Sequence, residues 1–451
     1  MKTEKLQDAL NLIDDEYIEK VDKLRRSKPK KNTFLLKSVA IAACFCITFT
    51  AVFFAFNGNN TVKAEDLMEG ITPNRVYKVE LAENNAKVSD FAVRLLQASA
   101  KEGENTLISP LSVLCALAMT VNGAEGETKS QMEAVLGMTA EELNRYIYTY
   151  INSLPQGEKY KLNLANSIWF KDSPAFTVNK EFLQINADYY GASIYKAPFD
   201  RSTLKDINNW VDEKTEGMIP NILDKIPEDA VMYLVNALAF EAEWQDIYSK
   251  TQVSDGKFTL EDGSIQNVEF MYNEEGRYIE TENATGFIKN YSGRKYAFAA
   301  LLPNEGTTVA QLVASLKVEE LNDILSNPKY HTVKTKIPKF ETEYSTELRE
   351  VLQSMGMENA FDGILADFSK LGTSAVGNIY INRVLHKTFI SVGEKGTKAG
   401  AATVVEMDNE GAYMDPPEPK TVYLNRPFVY MLIDCETNTP FFIGTMMNPN
   451  A

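Results

Sequence analysis

The sequence predicts an α+β protein with mixed or antiparallel sheets, preceded by a helix fit to cross a membrane. Three observations carry this. The stretch 38–56 holds no charged residue; apolar residues recur at helical spacing over 88–100 and 111–122; and the later chain breaks into short apolar or alternating runs rich in β-branched and aromatic residues. Strands are expected at 163–170, 231–240, 296–302, 332–340, 386–392 and 428–433. Helices and strands therefore come in blocks without regular alternation, which is the α+β pattern.

The uncharged stretch comes first along the chain. As a helix rising about 1.5 Å per residue it nearly spans a hydrocarbon core about 30 Å thick. Before it lie Lys20, Lys23, Arg25, Arg26, Lys28, Lys30 and Lys31, interrupted only by Asp22. Lys and Arg stay on the cytoplasmic side of a spanning helix, so the expected order is a cytoplasmic tail at 1–33, an anchor at 34–56, a linker at 57–71 and an exported domain at 72–451. Two processing alternatives stand beside the anchor. Val62-Lys63-Ala64 offers small residues to a signal peptidase, which would release a secreted product near Ala64, and Ile41-Ala42-Ala43-Cys44 looks like a bacterial lipoprotein box, although the residues after Cys44 stay apolar. In the tail, Leu6, Leu10, Ile13, Tyr17, Val21 and Leu24 step as an amphipathic helix, suited to lipid headgroups or to a cytoplasmic partner.

Composition bounds the exported part. With 451 residues and 44% hydrophobic content the chain can bury a large core, and its net charge of −16 argues against nucleic acid as a partner. Cys44 and Cys46 fall in the anchor; Cys115 and Cys435 sit in apolar runs and are expected as buried free thiols, with a disulfide between them as the alternative. Two histidines and no HExxH motif leave a metal site almost without ligands. No metal and no cofactor is expected. The stretch 392–403 is small and polar and lies between strand-like segments, as a loop able to enter a sheet would.

A set of motifs then appears in a fixed order. Asn105-Thr106-Leu107-Ile108-Ser109-Pro110-Leu111-Ser112 is followed by Ala116-Leu117-Ala118-Met119 and Asn122-Gly123-Ala124 with Thr128. Further on come Leu164-Ala165-Asn166-Ser167-Ile168-Trp169, Ile207-Asn208-Asn209-Trp210-Val211, Leu234-Val235-Asn236-Ala237 with Trp244, and Ile337-Pro338-Lys339-Phe340. His386-Lys387, Glu394-Lys395-Gly396-Thr397 and Leu424-Asn425-Arg426-Pro427-Phe428 complete the set. From about Thr72 to Pro449 the chain resembles the serpin family, as a bacterial, membrane-anchored or secreted serine protease inhibitor.

That resemblance implies a metastable fold of three β-sheets and eight or nine helices, with an exposed reactive centre loop between Glu394 and about Val422. It also implies a monomer whose partner is its target, a serine or cysteine protease. The protease attacks the loop, forms an acyl-enzyme, and is carried to the opposite pole when the cleaved strand inserts into the main sheet. The implied hinge is Glu394, Gly396, Thr397, Ala399, Gly400, Ala401 and Ala402. Ser109, Ser112, Asn236 and His386 match the family's shutter, a polar cluster beneath the strands that part; Trp244 matches the breach, where insertion begins.

The loop sequence suits that mechanism, because an inserting strand buries every second side chain. If Thr397 faces inward, so do Ala399, Ala401, Thr403, Val405 and Met407, all small or apolar. Every charge between Thr397 and Asp408 then faces outward, Lys398 included. Counting about seventeen positions from Glu394, as inhibitory relatives do, places the reactive bond between Glu410 and Gly411. A glutamate there suits a target with a cationic specificity pocket. A shifted register would instead expose Met407, for an elastase-like enzyme, or Tyr413, for a chymotrypsin-like one.

Other readings are weaker. Ser109 and His386 could be taken for part of a catalytic triad, but Ser109 lacks a Gly-x-Ser-x-Gly elbow and precedes a proline, which suits a helix cap; an enzyme is not expected. A non-inhibitory serpin acting as an extracytoplasmic carrier or binding protein would hold bulky or charged residues at inward hinge positions, and none occurs here. A tail that reports loop insertion to the cytoplasm rests on the helical tail alone.

Overall fold

The computed structural model describes residues 64–155, 157–227, 230–375, 377–397 and 418–451. The tail and membrane segment lie outside these residues, as does the loop from Lys398 to Pro417, and no described helix is long and apolar enough to cross a membrane. Described strands are numbered β1 to β18 along the chain. They form three sheets.

The main sheet runs in the order β1 (Glu65–Asp66), β5 (Ser193–Ala197), β3 (Tyr160–Lys171), β6 (Met232–Glu243), β15 (Gly396–Thr397), β14 (Arg383–Gly393) and β12 (Phe340–Glu347). The second sheet runs β16 (Lys420–Tyr423), β11 (Lys329–Pro338), β8 (Ile265–Glu280), β9 (Ala284–Asn290), β10 (Tyr296–Pro303), β17 (Phe428–Asp434), β18 (Thr439–Met446) and β2 (Thr106–Ile108), with β7 (Val253–Thr259) also on β8. A small third sheet pairs β4 (Phe176–Val178) with β13 (Gly372–Ser374).

Nine α-helices accompany them among the described residues: α1 (Ala82–Ser99), α2 (Pro110–Val121), α3 (Gly126–Leu136), α4 (Ala140–Ile151), α5 (Lys180–Tyr190), α6 (Arg201–Lys214), α7 (Val309–Ser315), α8 (Val318–Ser326) and α9 (Arg349–Ser354). Helix α2 is apolar all round, and every one of its residues is buried, as expected of a helix with no solvent face. It starts where the sequence places a cap. Ser109 is extended, its Oγ accepts from the Ser112 amide, and Pro110 opens the first turn.

Alternation on β14 sends Val384, His386, Thr388, Ile390 and Val392 to the buried face shared with α2 and the second sheet. The opposite face presents Leu385, which joins Tyr233, Val235, Ile207 and Trp210 in a separate cluster beneath α6. The main sheet is thus covered on both sides.

Three expectations need correcting. The run 332–340 is not one strand: β11 ends at Pro338 in the second sheet, the chain crosses at Lys339, and β12 starts at Phe340 in the main sheet. The end of the expected linker belongs to the fold, since Glu65 and Asp66 pair with Lys196 and Tyr195, and Leu67, Met68 and Ile71 pack on the core. The loop expected to be exposed from Glu394 to about Val422 is in sheet at both described ends. Gly396 and Thr397 lie in the main sheet, and Lys420–Tyr423 is an edge strand parallel to β11.

Candidate functional site: a half-opened sheet and its hinge

Strands β6 and β14 run parallel and are joined only over part of their length. Arg383 to Lys387 pair with Tyr233 to Ala237. Above that no ladder joins 238–241 to 388–391, and at the top β15 lies between the two strands, antiparallel to both. Thr397 pairs with Ala242 and Val392, and Gly396 pairs with Glu243 and Gly393. The sheet is closed at one end and wedged open at the other.

Gly396 is what the wedge requires. Its φ is +148°, and a Cβ there would meet the Ala242 carbonyl oxygen at 2.0 Å, against backbone that cannot yield. Thr397 is 1% exposed and its Oγ1 lies 2.6 Å from the Tyr291 hydroxyl, so its side chain faces the core as the alternation expects.

A short segment holds the hinge carbonyls. Trp244 Nε1 donates to the Gly393 carbonyl at 2.8 Å, the Trp244 amide to Lys395 at 2.8 Å, and the Tyr248 amide to Glu394 at 3.0 Å. The indole stacks on Tyr291 at 4.3 Å and 8°. Trp244 thus both packs and donates a hydrogen bond. The Glu394 carboxylate pairs with Lys339 at 2.8 Å, a hydrogen bond that holds its carboxyl below the usual range.

The four polar residues matched to the shutter come together under the closed end. His386 and Asn236 are register partners, as are Asn236 and Asn166. His386 Nε2 accepts from the Ser109 amide at 3.1 Å, while Asn236 Nδ2 donates to the Ser112 carbonyl and to Asn166 Oδ1. Thr388 Oγ1 donates to the Leu107 carbonyl at 2.8 Å. Three buried polar atoms in the cluster have no partner: Ser112 Oγ, Asn236 Oδ1 and His386 Nδ1. Burial pushes the imidazole down to about 4, so it is neutral near pH 7. It binds a backbone amide instead of a serine hydroxyl. Ser109 and His386 are thus not arranged as nucleophile and base.

Sequence reasoning missed Asn166, Thr388, Tyr291, Tyr248 and Lys339 as parts of these clusters. Asn166 and Lys339 stand inside the quoted motifs, which was the available signal; Tyr291 and Tyr248 carried none, because only folding brings them to the hinge. Ala399, Gly400, Ala401, Ala402, Met407, Glu410, Gly411 and Tyr413 lie outside the described residues. Cys115 is buried and Cys435 partly so, each with a free thiol. Burial pushes the Cys435 thiol up to about 11.

Known proteins share the family and the fold. The model of the family described as Serpin (serine protease inhibitor) matches residues 86–449. An uncharacterised serpin-like protein of Thermococcus kodakarensis is 31% identical over 370 residues, covering 80% of this chain and 85% of its own. The crystal structure of a thermophilic serpin, tengpin, in the native state superposes with a TM-score of 0.82 at 49% identity, over 86% of this chain and all of that one. The same serpin in the latent state gives 0.72 at 47% identity, over 84% of this chain and all of that one. Family members are generally protease inhibitors and not catalysts. With its family model matched over most of its length and its fold shared with a solved serpin, the chain belongs to the serpin family.

Proposed function

We propose that this chain is a suicide-substrate inhibitor of a serine or cysteine protease, trapping its target as a covalent acyl-enzyme when the reactive loop inserts into the main sheet. One observation carries the reading: Gly396 and Thr397 already occupy the first two places of a new strand between β6 and β14. The rest of the slot is built for a strand. Insertion would replace the parallel β6–β14 junction with two antiparallel ladders, the more stable pairing per residue.

The register begun at the hinge can be followed downward. Six residues beyond Thr397 it brings Thr403 opposite Asn236 and His386, the pair with unsatisfied buried atoms. A hydroxyl at that place could satisfy one of them, and an unmet buried polar group costs about 1–3 kcal/mol. Inhibitors and carriers differ in what insertion must accommodate, and the inward set Ala399, Ala401, Thr403, Val405 and Met407 accommodates it.

The reactive bond in this reading is Glu410–Gly411, and the target has a cationic specificity pocket. The trap stands outside the cell, held by the segment 34–56; the uncharged run and the basic cluster before it support this.

The test is a protease panel that includes a glutamyl endopeptidase, read on SDS gels. A complex that survives SDS, with a released C-terminal peptide beginning at Gly411, is the expected result. Cleavage without a complex would favour a carrier, and a peptide with another start would move the bond to Met407 or Tyr413. Immunoblots of membrane extract and medium check the anchor, and a soluble product starting near Glu65 would overturn it.

A further inference from the structure

Behind the hinge lies a buried charge that packing alone does not call for. Lys289, on β9, has a side chain 1% exposed, and its Nζ is 2.8 Å from Glu275 Oε1 on the neighbouring β8. Glu275 is itself only 10% exposed. The ammonium also donates to the Asp246 carbonyl at 3.2 Å and sits over two rings, Tyr248 at 4.7 Å and Trp244 at 5.4 Å. Apart from Glu275, every one of these partners belongs to the segment 244–248.

That segment is the one whose indole and amide N–H groups hold the carbonyls of Gly393, Glu394 and Lys395. We propose that Lys289 is a positioning residue for loop insertion: paired with Glu275, it clamps 244–248 from behind and so keeps the hinge seated between β6 and β14. A leucine or methionine would fill the same space. Burying two charges brings little or no net stability compared with a well-packed apolar pair, because desolvation offsets the attraction. What the pair adds is direction. A cation fixed by one carboxylate must hold one carbonyl and two ring faces at set angles, and apolar contacts impose no such geometry.

The consequence for trapping rests on the inhibitor reading above; the clamp itself does not. If 244–248 drifts, the hinge carbonyls lose their donors and Gly396 and Thr397 leave the sheet. Insertion after cleavage then starts from a free loop, and more acyl-enzyme is hydrolysed before the strand is in.

Two full-chain variants test this. K289M/E275L removes both members of the ion pair together; E275Q keeps the shape and weakens the clamp if the double variant does not fold. Hydrogen exchange of the peptide covering 393–397 is expected to be about tenfold faster in the double variant and intermediate in E275Q. Trp244 fluorescence shifts with it, and the moles of inhibitor consumed per protease rise several-fold. Unchanged hinge exchange in a folded variant overturns the clamp, and faster exchange with unchanged consumption overturns its part in trapping. If the parent forms no covalent complex with any protease, the inhibitor reading fails, and the exchange result still decides the clamp.

Discussion

His386 shows how one buried side chain ties stability to pH. Burial lowers its pKa from 6.5 to about 4, so protons bind the unfolded chain more readily than the native one between those values. The neutral form stabilises the fold fully above pH 6.5. That contribution is lost as pH falls from 6.5 toward 4, up to about 3 kcal/mol for a shift of this size. Urea midpoints measured across this window should fall with pH, and H386Q should flatten the fall; an unchanged slope in H386Q would assign it to other groups. Gly396 gives a sharper test. Because a Cβ there meets Ala242 backbone at 2.0 Å, G396A should unseat the hinge, turning inhibition into turnover of the chain as a substrate on SDS gels.

At the scale of elements, β6 and β14 hold Gly396 and Thr397 in one register, and in the proposed insertion that register would sort the following residues onto two faces. Thr397 faces the core beside Tyr291, so a large charge two residues on should block the strand, while a charge change one residue on should not. A399R is expected to abolish the SDS-stable complex, and K398E to leave it within about twofold of the parent. A complex formed equally well by A399R would rule out the register drawn here. The elements also show what was legible beforehand. Strands β10 and β17 were found nearly to the residue, because continuous apolar runs bounded by polar residues leave little choice. The crossing at Lys339 was hidden, since the apolar and β-branched pattern on either side continues through it. β12 reads Phe-Glu-Thr-Glu-Tyr-Ser-Thr-Glu, a half-exposed edge whose polar content masks its period. Helix α1 starts at Ala82, earlier than expected, because its first turns carry Glu and Asn on an open face.

For the whole molecule, the main sheet is joined between β6 and β14 over only part of their length. It is wedged at the top by two residues and closed at the bottom over a cluster with unmet polar atoms. Cleavage of the loop should therefore make the protein more stable. A melting temperature raised by at least about 10 °C after limited cleavage is the expected reading by calorimetry, and no rise would place the chain with carriers.

What the sequence by itself determined is the family; it also singled out Ser109, Ser112, Asn236 and His386, which the fold brings together under the closed end of the sheet. Ordered motifs and a period of two are local properties that survive without coordinates. The inward face of Thr397 entered there as a condition, and the structure bears it out. Only the tertiary structure decided that its side chain is already buried, that Trp244 and Tyr248 hold the hinge carbonyls, and that a lysine from β9 stands behind them. Those facts depend on strands distant in sequence meeting at one place. A buried Lys289 reads in the sequence as any surface lysine until the carboxylate of Glu275 and two aromatic faces are brought around it.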